Sequence, residues 1–562
     1  MFNVLTSIVK FFVYSVVMIF LLTGCGGGGG GGDNSGGGGG EQLSSPVINL
    51  SGTWVNTETT ETNTCGESVG SQETSIGMIM HTTGSNSFTV YDNGLSYTGT
   101  ISGTHISYSG QADNSNCPLG QNVTFSLDLQ APDYTTATGY VDWTCKYQGG
   151  SCSGTSYVSM KKKWTQLGTT SDDVGRGVAV DASGNVFVTG VTLGSLDGNT
   201  NAGYSDIFLV KYDAAGGKQW TRQLGTTNYD YSQGVAVDTN GNVYVTGYTS
   251  GSLDGNTNAG GTDIFLVKYD AAGTKQWTRQ LGSSSDERAQ GVAVDTNGDL
   301  YVTGYTSGSL DGNTKAGGID IFLVKYDAAG TKQWTRQLGS SSNDIAQGVA
   351  VDTSGNIYVT GSTNGSLDGN TNAGNYDMFL VKYNAAGTKQ WTRQLGSSSD
   401  DEATGVAVDT NGNLYVTGKT NGSLDGNTSA GNYDMFLVKY NAAGAKQWTR
   451  QLGTSTTDYG QGVAVDASGN IYVTGSTYGG LDGNTSSGDS YDMFLVKYNA
   501  AGAKQWTRQL GMDHVWDEGN GVTVDIGGNV YVTGYTDWGL GPSGLNMSKD
   551  VFIVKYNANG IK

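Results

Sequence analysis

Six near-identical loops carry the residues in this chain that are best suited to bind a metal ion. Each resembles the pattern LDGNTNAG. Counted from the Asp, the third residue is Asn and the fifth is Asn, Ser or Lys. Oxygen-bearing side chains at alternate positions are typical of calcium loops, but the central glycine and the closing bidentate glutamate of those loops are missing. A turn held by side-chain hydrogen bonds is the competing interpretation. The candidate calcium residues are Asp197, Asp254, Asp311, Asp368, Asp425 and Asp482.

Catalytic residues are scarce by comparison. The histidines are His81, His105 and His514, and no nucleophile elbow or zinc-protease motif accompanies them. Paired carboxylates in acidic loops could serve glycosidase or lyase chemistry, so a carbohydrate-active enzyme is the main alternative. The sequence favours a protein that is not an enzyme.

The elements that must position these loops form an internal repeat. A tryptophan recurs every 56 to 58 residues, and such a period indicates a repeat architecture. Each copy contains four strand-like runs, which are KQWTRQLG, QGVAVD, NVYVTGYT and DIFLVKYD in the second copy. The repeated tryptophans are Trp164, Trp220, Trp277, Trp334, Trp391, Trp448 and Trp506.

The runs WTRQLG, GVAVDTNGNVYVTG and DIFLVKYDAAG resemble the seven-bladed β-propeller (SBBP) repeat of bacterial exported proteins and, more distantly, the NHL repeat. The resemblance covers residues 164–562 and implies an all-β fold of seven four-stranded blades. It makes GVAVD the innermost strand, NVYVTG the second, FLVKY the third and the Trp run the outermost. WTQLG, which begins at Trp164, should then complete the last blade and close the ring.

This strand order sorts the connections between two faces of the ring. The two short hairpin turns share one face, and the two long loops share the other, which we call the loop face. The loop before each inner strand differs most between copies, and variable loops on a fixed scaffold typically carry function. The competing interpretation is that surface loops simply tolerate sequence change. The candidate ligand residues are Asp286, Glu287, Asp400, Asp401, Glu402, His514, Trp516, Asp517, Glu518 and Trp538.

Other repeated residues have structural interpretations. We expect the repeated Trp, Tyr and Phe side chains to pack between blades. The repeated arginine of the Trp run is expected to be solvated or locally paired. The side chain of the Asp that follows each GVAV should form hydrogen bonds with the backbone of the turn that it begins.

Residues 47–163 predict a small antiparallel β domain. Its four cysteines belong to a chain with an export signal, so two disulfides are expected. Of the three connectivities, Cys65–Cys117 with Cys145–Cys152 is favoured, because the latter two flank a glycine-rich turn. The run SGTW resembles the start of lipocalin-like barrels.

Residues 1–24 have the basic residue and apolar core of a signal peptide. They end in LTGC, which resembles the lipobox of bacterial lipoproteins and implies that Cys25 is acylated with palmitate-type chains. An uncleaved anchor helix is the alternative. Residues 25–46 are rich in glycine and form a flexible tether. Gly26 after the cysteine implies export to an outer membrane or cell surface.

The net charge of −20 opposes binding to phosphate backbones and excludes nucleic acid as a partner. We therefore expect a monomeric, lipid-anchored envelope protein whose propeller binds an extracellular or periplasmic protein or glycan. An envelope assembly scaffold is a further alternative. Calcium is the one cofactor that the sequence leaves open.

Overall fold

The computed structural model describes residues 52–63, 72–81, 87–92, 95–102, 105–112, 121–129, 136–147, 150–511, 515–537 and 548–562. The predicted signal peptide, the acylated Cys25 and the tether lie outside these residues and stay predictions. The described residues divide into two compact units between Lys163 and Trp164. None of the helices in these ranges has the length and hydrophobicity to cross a bilayer.

The first unit is an antiparallel meander of eight strands, in which each strand pairs with the next and the first also pairs with the eighth. Alternate residues of its sixth strand, Val123, Phe125 and Leu127, are buried, as expected for a sheet with one covered face. The lipocalin-like interpretation stays a prediction. The strands are β1 (Gly52–Asn63), β2 (Gln72–His81), β3 (Ser87–Asp92), β4 (Leu95–Ser102), β5 (His105–Ala112), β6 (Gln121–Leu129), β7 (Thr136–Tyr147) and β8 (Gly150–Leu167).

Two of the cysteines lie opposite each other in this unit. Cys145 of β7 is the register partner of Cys152 of β8, and both are disulfide-bonded. Cys65 and Cys117 lie outside the described residues, so the pairing of these two stays a prediction.

The second unit consists of four-stranded antiparallel sheets, one per repeat, and the all-β propeller prediction is confirmed. Blades one to seven are numbered by their inner strands. The inner strands are β9 (Asp173–Val180), β13 (Asp230–Val237), β17 (Glu287–Val294), β21 (Asp344–Val351), β25 (Asp401–Val408), β29 (Asp458–Val465) and β33 (Asp517–Val524). The second strands are β10 (Val186–Thr192), β14 (Val243–Thr249), β18 (Leu300–Thr306), β22 (Ile357–Thr363), β26 (Leu414–Thr420), β30 (Ile471–Thr477) and β34 (Val530–Thr536).

The remaining strands complete the blades. The third strands are β11 (Asp206–Tyr212), β15 (Asp263–Tyr269), β19 (Asp320–Tyr326), β23 (Asp377–Tyr383), β27 (Asp434–Tyr440), β31 (Asp492–Tyr498) and β35 (Asp550–Tyr556). The outer strands of blades one to six are β12 (Lys218–Leu224), β16 (Lys275–Leu281), β20 (Lys332–Leu338), β24 (Lys389–Leu395), β28 (Lys446–Leu452) and β32 (Lys504–Leu510). Single turns of 3-10 helix precede the third strands of the same blades at Leu196–Gly198, Leu253–Gly255, Leu310–Gly312, Leu367–Gly369, Leu424–Gly426 and Leu481–Gly483.

The inner strands surround a common axis. Each contacts the inner strands of both neighbouring blades, and β33 contacts β9, so the blades form a ring. The close approach of neighbouring inner strands requires small residues. A Cβ added to Gly177 would lie 3.2 Å from the Gln233 carbonyl, and one added to Gly521 would lie 3.1 Å from the Arg176 carbonyl. Glycine at this repeated position allows the strands to converge.

Apolar side chains fill the space between neighbouring blades. Tyr244 and Leu266 of blade two pack in one cluster with Leu300 and Phe322 of blade three, and Tyr244 and Phe322 are fully buried. Burying one such side chain contributes about 1.5–3 kcal/mol. The predicted packing role of the repeated aromatics is therefore confirmed.

The repeated arginine joins one blade to the next, rather than remaining solvated. Arg279 Nε donates to the Gly330 carbonyl of blade three at 2.7 Å, and its guanidinium lies 4.9 Å from the Trp277 ring centroid. Gly330 has a φ of +77°, and a Cβ there would meet the Trp277 ring at 2.8 Å. The hairpin turn therefore requires glycine, and its carbonyl is held by the neighbouring arginine.

The ring closes as the order of runs predicted. Leu167, Gln166 and Thr165 of β8 pair antiparallel with residues 551–553 of β35. Gln166 Nε2 also donates to Asp550 Oδ2 at 3.0 Å. The N-terminal run therefore supplies the outer strand of blade seven, which would otherwise present an unpaired edge. This run lacks the arginine of the other copies.

Replacing Leu167 with Ala should destabilise the propeller at this closure. Leu167 is 6% exposed and packs with Phe208 and Val551, so its truncation should lower the free energy of unfolding by about 2–5 kcal/mol. Leu193→Ala is the control, because Leu193 is 43% exposed. Denaturant titration would measure both, and equal midpoints would contradict the role of Leu167 in closure.

Candidate ligand face

A buried acid begins every inner strand and anchors the loop face. In blade two, Asp230 accepts hydrogen bonds from the Thr226 backbone N–H at 2.6 Å and from the Thr226 hydroxyl at 2.9 Å. Its own N–H donates to the Ser205 carbonyl of blade one at 3.0 Å. These bonds compensate the carboxylate for lost water and link adjacent loops. The seven anchors are Asp173, Asp230, Glu287, Asp344, Asp401, Asp458 and Asp517.

Burial makes several of these carboxyls weaker acids. It raises the pKa of Asp173 to about 6, even though Thr192 and Thr169 donate hydrogen bonds to it. Burial also raises the pKa values of Asp230, Asp344, Asp401 and Asp458. The cause is desolvation, which disfavours the charged form.

Three predicted ligand residues therefore belong to the scaffold. Glu287, Asp401 and Asp517 are fully buried anchors, and this corrects their assignment to the exposed face. The physical reason is strand alternation, because adjacent residues point to opposite sides. Among their neighbours, Asp286 is exposed and Asp400 is partly exposed.

The five other candidates have different outcomes. Glu402 and Glu518 are partly exposed, and Trp516 is 45% exposed, so all three remain accessible on the loop face. His514 and Trp538 lie outside the described residues.

The LDGNTNAG loops fold back along the outer strands. Asp197 is ion-paired with Lys218 Nζ at 2.6 Å and accepts a hydrogen bond from the Thr221 hydroxyl, while Gln223 accepts the Leu196 N–H at 3.0 Å. The Asn199 amide donates to the Leu196 carbonyl at 2.8 Å. These interactions recur along the ring and account for the repeated Lys, Thr and Gln of the Trp run.

Calcium binding at these loops stays a prediction. The lead aspartates adopt left-handed backbone angles, with φ between +51° and +56°. In the described part of the chain, no group of three or more His, Cys, Asp or Glu side chains is placed to hold a metal ion. A calcium ion at Asp197 would have to displace the lysine ammonium from the carboxylate.

A row of aromatic rings crosses blades five to seven on the loop face. The ring centroids of Tyr433 and Tyr459 are 5.6 Å apart, and those of Tyr459 and Tyr491 are 6.0 Å apart. Tyr478 and Trp516 meet Tyr491 nearly edge-on at 5.3 and 5.4 Å. We call these five residues the long aromatic row.

A second row lies on blades one and two. Tyr204 stacks on Tyr229 at 4.9 Å, Tyr229 is 6.2 Å from Tyr231, and Tyr231 is 5.1 Å from Tyr248. The Arg288 guanidinium lies 4.9 Å from the Tyr248 ring centroid. We call the four tyrosines the short aromatic row.

Of these nine residues, only Trp516 was singled out from the sequence. A signal was nevertheless present at positions where the copies differ. The second residue of the inner strand is Tyr231 or Tyr459 in two blades, but Arg288, Ile345 or Glu402 in others. Aromatic residues at non-repeating positions are not explained by the packing that all blades share.

A lysine of the chain occupies one end of the long aromatic row. Lys419 Nζ lies 5.2 Å from the ring centroids of both Tyr433 and Tyr459, and 3.4 Å from Glu402 Oε1. The Tyr433 hydroxyl donates to Asp400 at 3.3 Å. Burial raises the pKa of Tyr459 to about 12, with contributions from Tyr491 and Glu518.

Blade seven carries a cluster of titratable groups. Burial raises the pKa of Asp537 to about 6, and the nearby Asp172 and Glu518 carboxylates raise it further against the opposing effect of Lys549. Lys549 Nζ lies 4.1 Å from the Tyr535 ring centroid.

Comparison with known proteins agrees with this architecture. The SBBP beta-propeller repeat matches residues 163–197, 219–254, 276–311, 333–368, 390–425, 447–482 and 505–540. The second unit is therefore a β-propeller. Its seven blades are SBBP repeats.

Two curated relatives share this region. The chain is 29% identical over 381 residues to the regulatory protein FlaEY of Caulobacter vibrioides, an alignment that covers 58% of this chain and 39% of the relative. It is 24% identical over 443 residues to an uncharacterized WD repeat-containing protein of Acanthamoeba polyphaga mimivirus, covering 60% and 31%. The chain thus spans less than half of either relative.

Solved structures with related folds are distant. The β-propeller domain of the trilobed protease from Pyrococcus furiosus aligns with a TM-score of 0.36 and 9% identity, over 65% of this chain and 93% of that one. Polysaccharide lyase Uly1 aligns with a TM-score of 0.39 and 13% identity, over 68% and 90%.

The raised carboxyl pKa values predict that stability falls as the pH rises from about 4 to about 7. The folded state binds the proton of Asp173 more tightly than the unfolded chain does. The resulting stability is fully present below the ordinary pKa of 3.8 and is lost as the pH rises through about 6. We expect a higher melting temperature at about pH 5 than at about pH 7.5. Asp173→Asn should reduce the corresponding difference in the free energy of unfolding by about 1–1.5 kcal/mol, because only the pH interval between about 5 and the raised pKa of about 6 contributes.

Asp286→Asn is the matched control, because Asp286 is an exposed acid on the same face. This variant should retain the pH dependence of the unaltered protein. A melting temperature that falls on acidification to about pH 5 would contradict the linkage.

Proposed function

We propose that this protein is a non-catalytic binding scaffold, tethered to the cell envelope, that uses the loop face of its propeller to bind a protein or glycan. The observation that carries this proposal is the concentration on that face of exposed aromatic rings at positions that differ between blades. Tyr204 and Trp516, for example, are 64% and 45% exposed. Exposed aromatic residues with accessible polar neighbours are typical of recognition surfaces.

The binding test compares variants of the two faces. Glycan arrays and an envelope-protein array would identify a ligand of the unaltered protein. Combined Tyr478→Ser and Trp516→Ser substitutions should weaken its binding by about tenfold or more, because aromatic anchors dominate such interfaces. Ile526→Ser should leave affinity unchanged, since Ile526 is 87% exposed in a hairpin turn on the opposite face. Equal affinities of all three proteins would contradict the proposal.

Acylation of Cys25 is the second part of the proposal. Several acyl chains hold a protein stably at a membrane, so no spanning helix is needed. We expect the membrane-extracted protein to carry the lipid mass on Cys25. Cys25→Ser should move the protein from the membrane to the soluble fraction, as measured by fractionation and mass spectrometry. A membrane-bound wild type without acylated cysteine would point to an anchor helix instead.

One observation favours a second candidate, a carbohydrate-active enzyme. Burial raises the pKa of Asp537 to about 6, and Asp172 and Glu518 lie near it; a carboxyl with a raised pKa is suited to general acid catalysis. Release of oligosaccharide products, lost in Asp537→Asn, would support this candidate against the scaffold.

A further inference from the structure

The long aromatic row differs from the short row in its charged surroundings. Carboxylates near the long row raise the pKa values of its tyrosines beyond the effect of burial. They belong to Asp400 and Glu402 near Tyr433 and to Glu518 near Tyr459. In the short row, burial raises the pKa of Tyr248, and the positive charges of Arg288 and Arg176 oppose this rise. The long row is thus accompanied by three carboxylates and one lysine, Lys419, whereas arginines accompany Tyr248 at one end of the short row.

We propose that the long aromatic row binds a lysine-rich segment of a partner protein, with lysine ammonium groups lying over its exposed rings between carboxylates. This inference rests on the proposed function of the loop face and names the class of ligand. Ammonium groups are attracted to the faces of Tyr and Trp rings, and the attraction increases where water is excluded.

Lys419 shows within the molecule how such a ligand is held. Its ammonium lies over Tyr433 and Tyr459 and near Glu402, and it is only partly exposed. The aliphatic stem of a lysine can pack along apolar surface while its charged end meets a carboxylate. A primary ammonium on a flexible stem is thus the group that the row already accommodates.

The other end of the row offers further rings. Tyr478 and Trp516 are 36% and 45% exposed, and among the described residues no Lys or Arg lies over Tyr478, Tyr491 or Trp516. Glu518 follows Trp516 by two residues at the start of β33. Successive lysines of an incoming segment could therefore continue the pattern that Lys419 begins.

Charge also favours a peptide over a neutral glycan. A neutral sugar chain would gain hydrogen bonds but no ion pairs from the carboxylates around the long row, and its binding would depend little on salt. A lysine-rich segment would distinguish the rows, and its association would weaken as salt screens the charges.

The test uses the full chain and a synthetic peptide of alternating lysine and serine, with binding measured by calorimetry. Combined Tyr491→Leu and Trp516→Leu substitutions should weaken peptide binding by about tenfold. The matched control, Tyr204→Leu with Tyr229→Leu, removes two exposed rings of the short row and should change affinity less than about twofold. Thermal melting would verify that both proteins fold.

Glu518→Gln should also weaken binding and reduce its salt dependence, and a serine-only peptide should not bind. Equal loss in both ring variants, or loss in Glu518→Gln alone, would overturn the inference. Glucosamine oligomers that bind through the long row in place of the peptide would also overturn it. That last result would leave the proposed function standing, whereas a ligand unaffected by every loop-face variant would contradict both.

Discussion

Face-to-face packing of neighbouring sheets is the constraint on which the propeller depends. The second strand of blade two has Val243, Tyr244 and Val245 in succession, all fully buried, so both faces of the sheet need cover. A ring gives every sheet two neighbours without leaving a terminal face. The converging inner strands then require glycine near the axis, and the arginine bond to the next hairpin turn secures the wider outer edge.

The same constraint explains the buried carboxylates. Long loops must cross from blade to blade without leaving backbone N–H groups unsatisfied. An acid at the start of each inner strand accepts such groups and the nearby hydroxyls, as Asp230 does for Thr226. These acids therefore serve the loops and are not available to a ligand.

The proposed recognition uses positions that the scaffold does not need. Lysine, threonine and glutamine of the outer strand hold the LDGNTNAG loop. The aspartate or asparagine that begins each hairpin turn accepts hydrogen bonds from the backbone of that turn, as Asp181 does from Ser183 and Asn185. The tip of each long loop and the second residue of each inner strand are among the positions that vary between blades. These positions supply the aromatic rows and the charges around them.

The sequence by itself determined the strands, because a regular period and the turn residues that bound each run are local features. The order of the strands within a blade and the closure by WTQLG were implied by the resemblance to SBBP repeats, and the cost of an unpaired edge agrees with that closure. Tertiary structure decided which of two adjacent acids is buried, since a single step along a strand separates Asp400 from Asp401. It also brought Tyr433 and Trp516 into one row, because loops distant in sequence meet only when the blades converge around the axis.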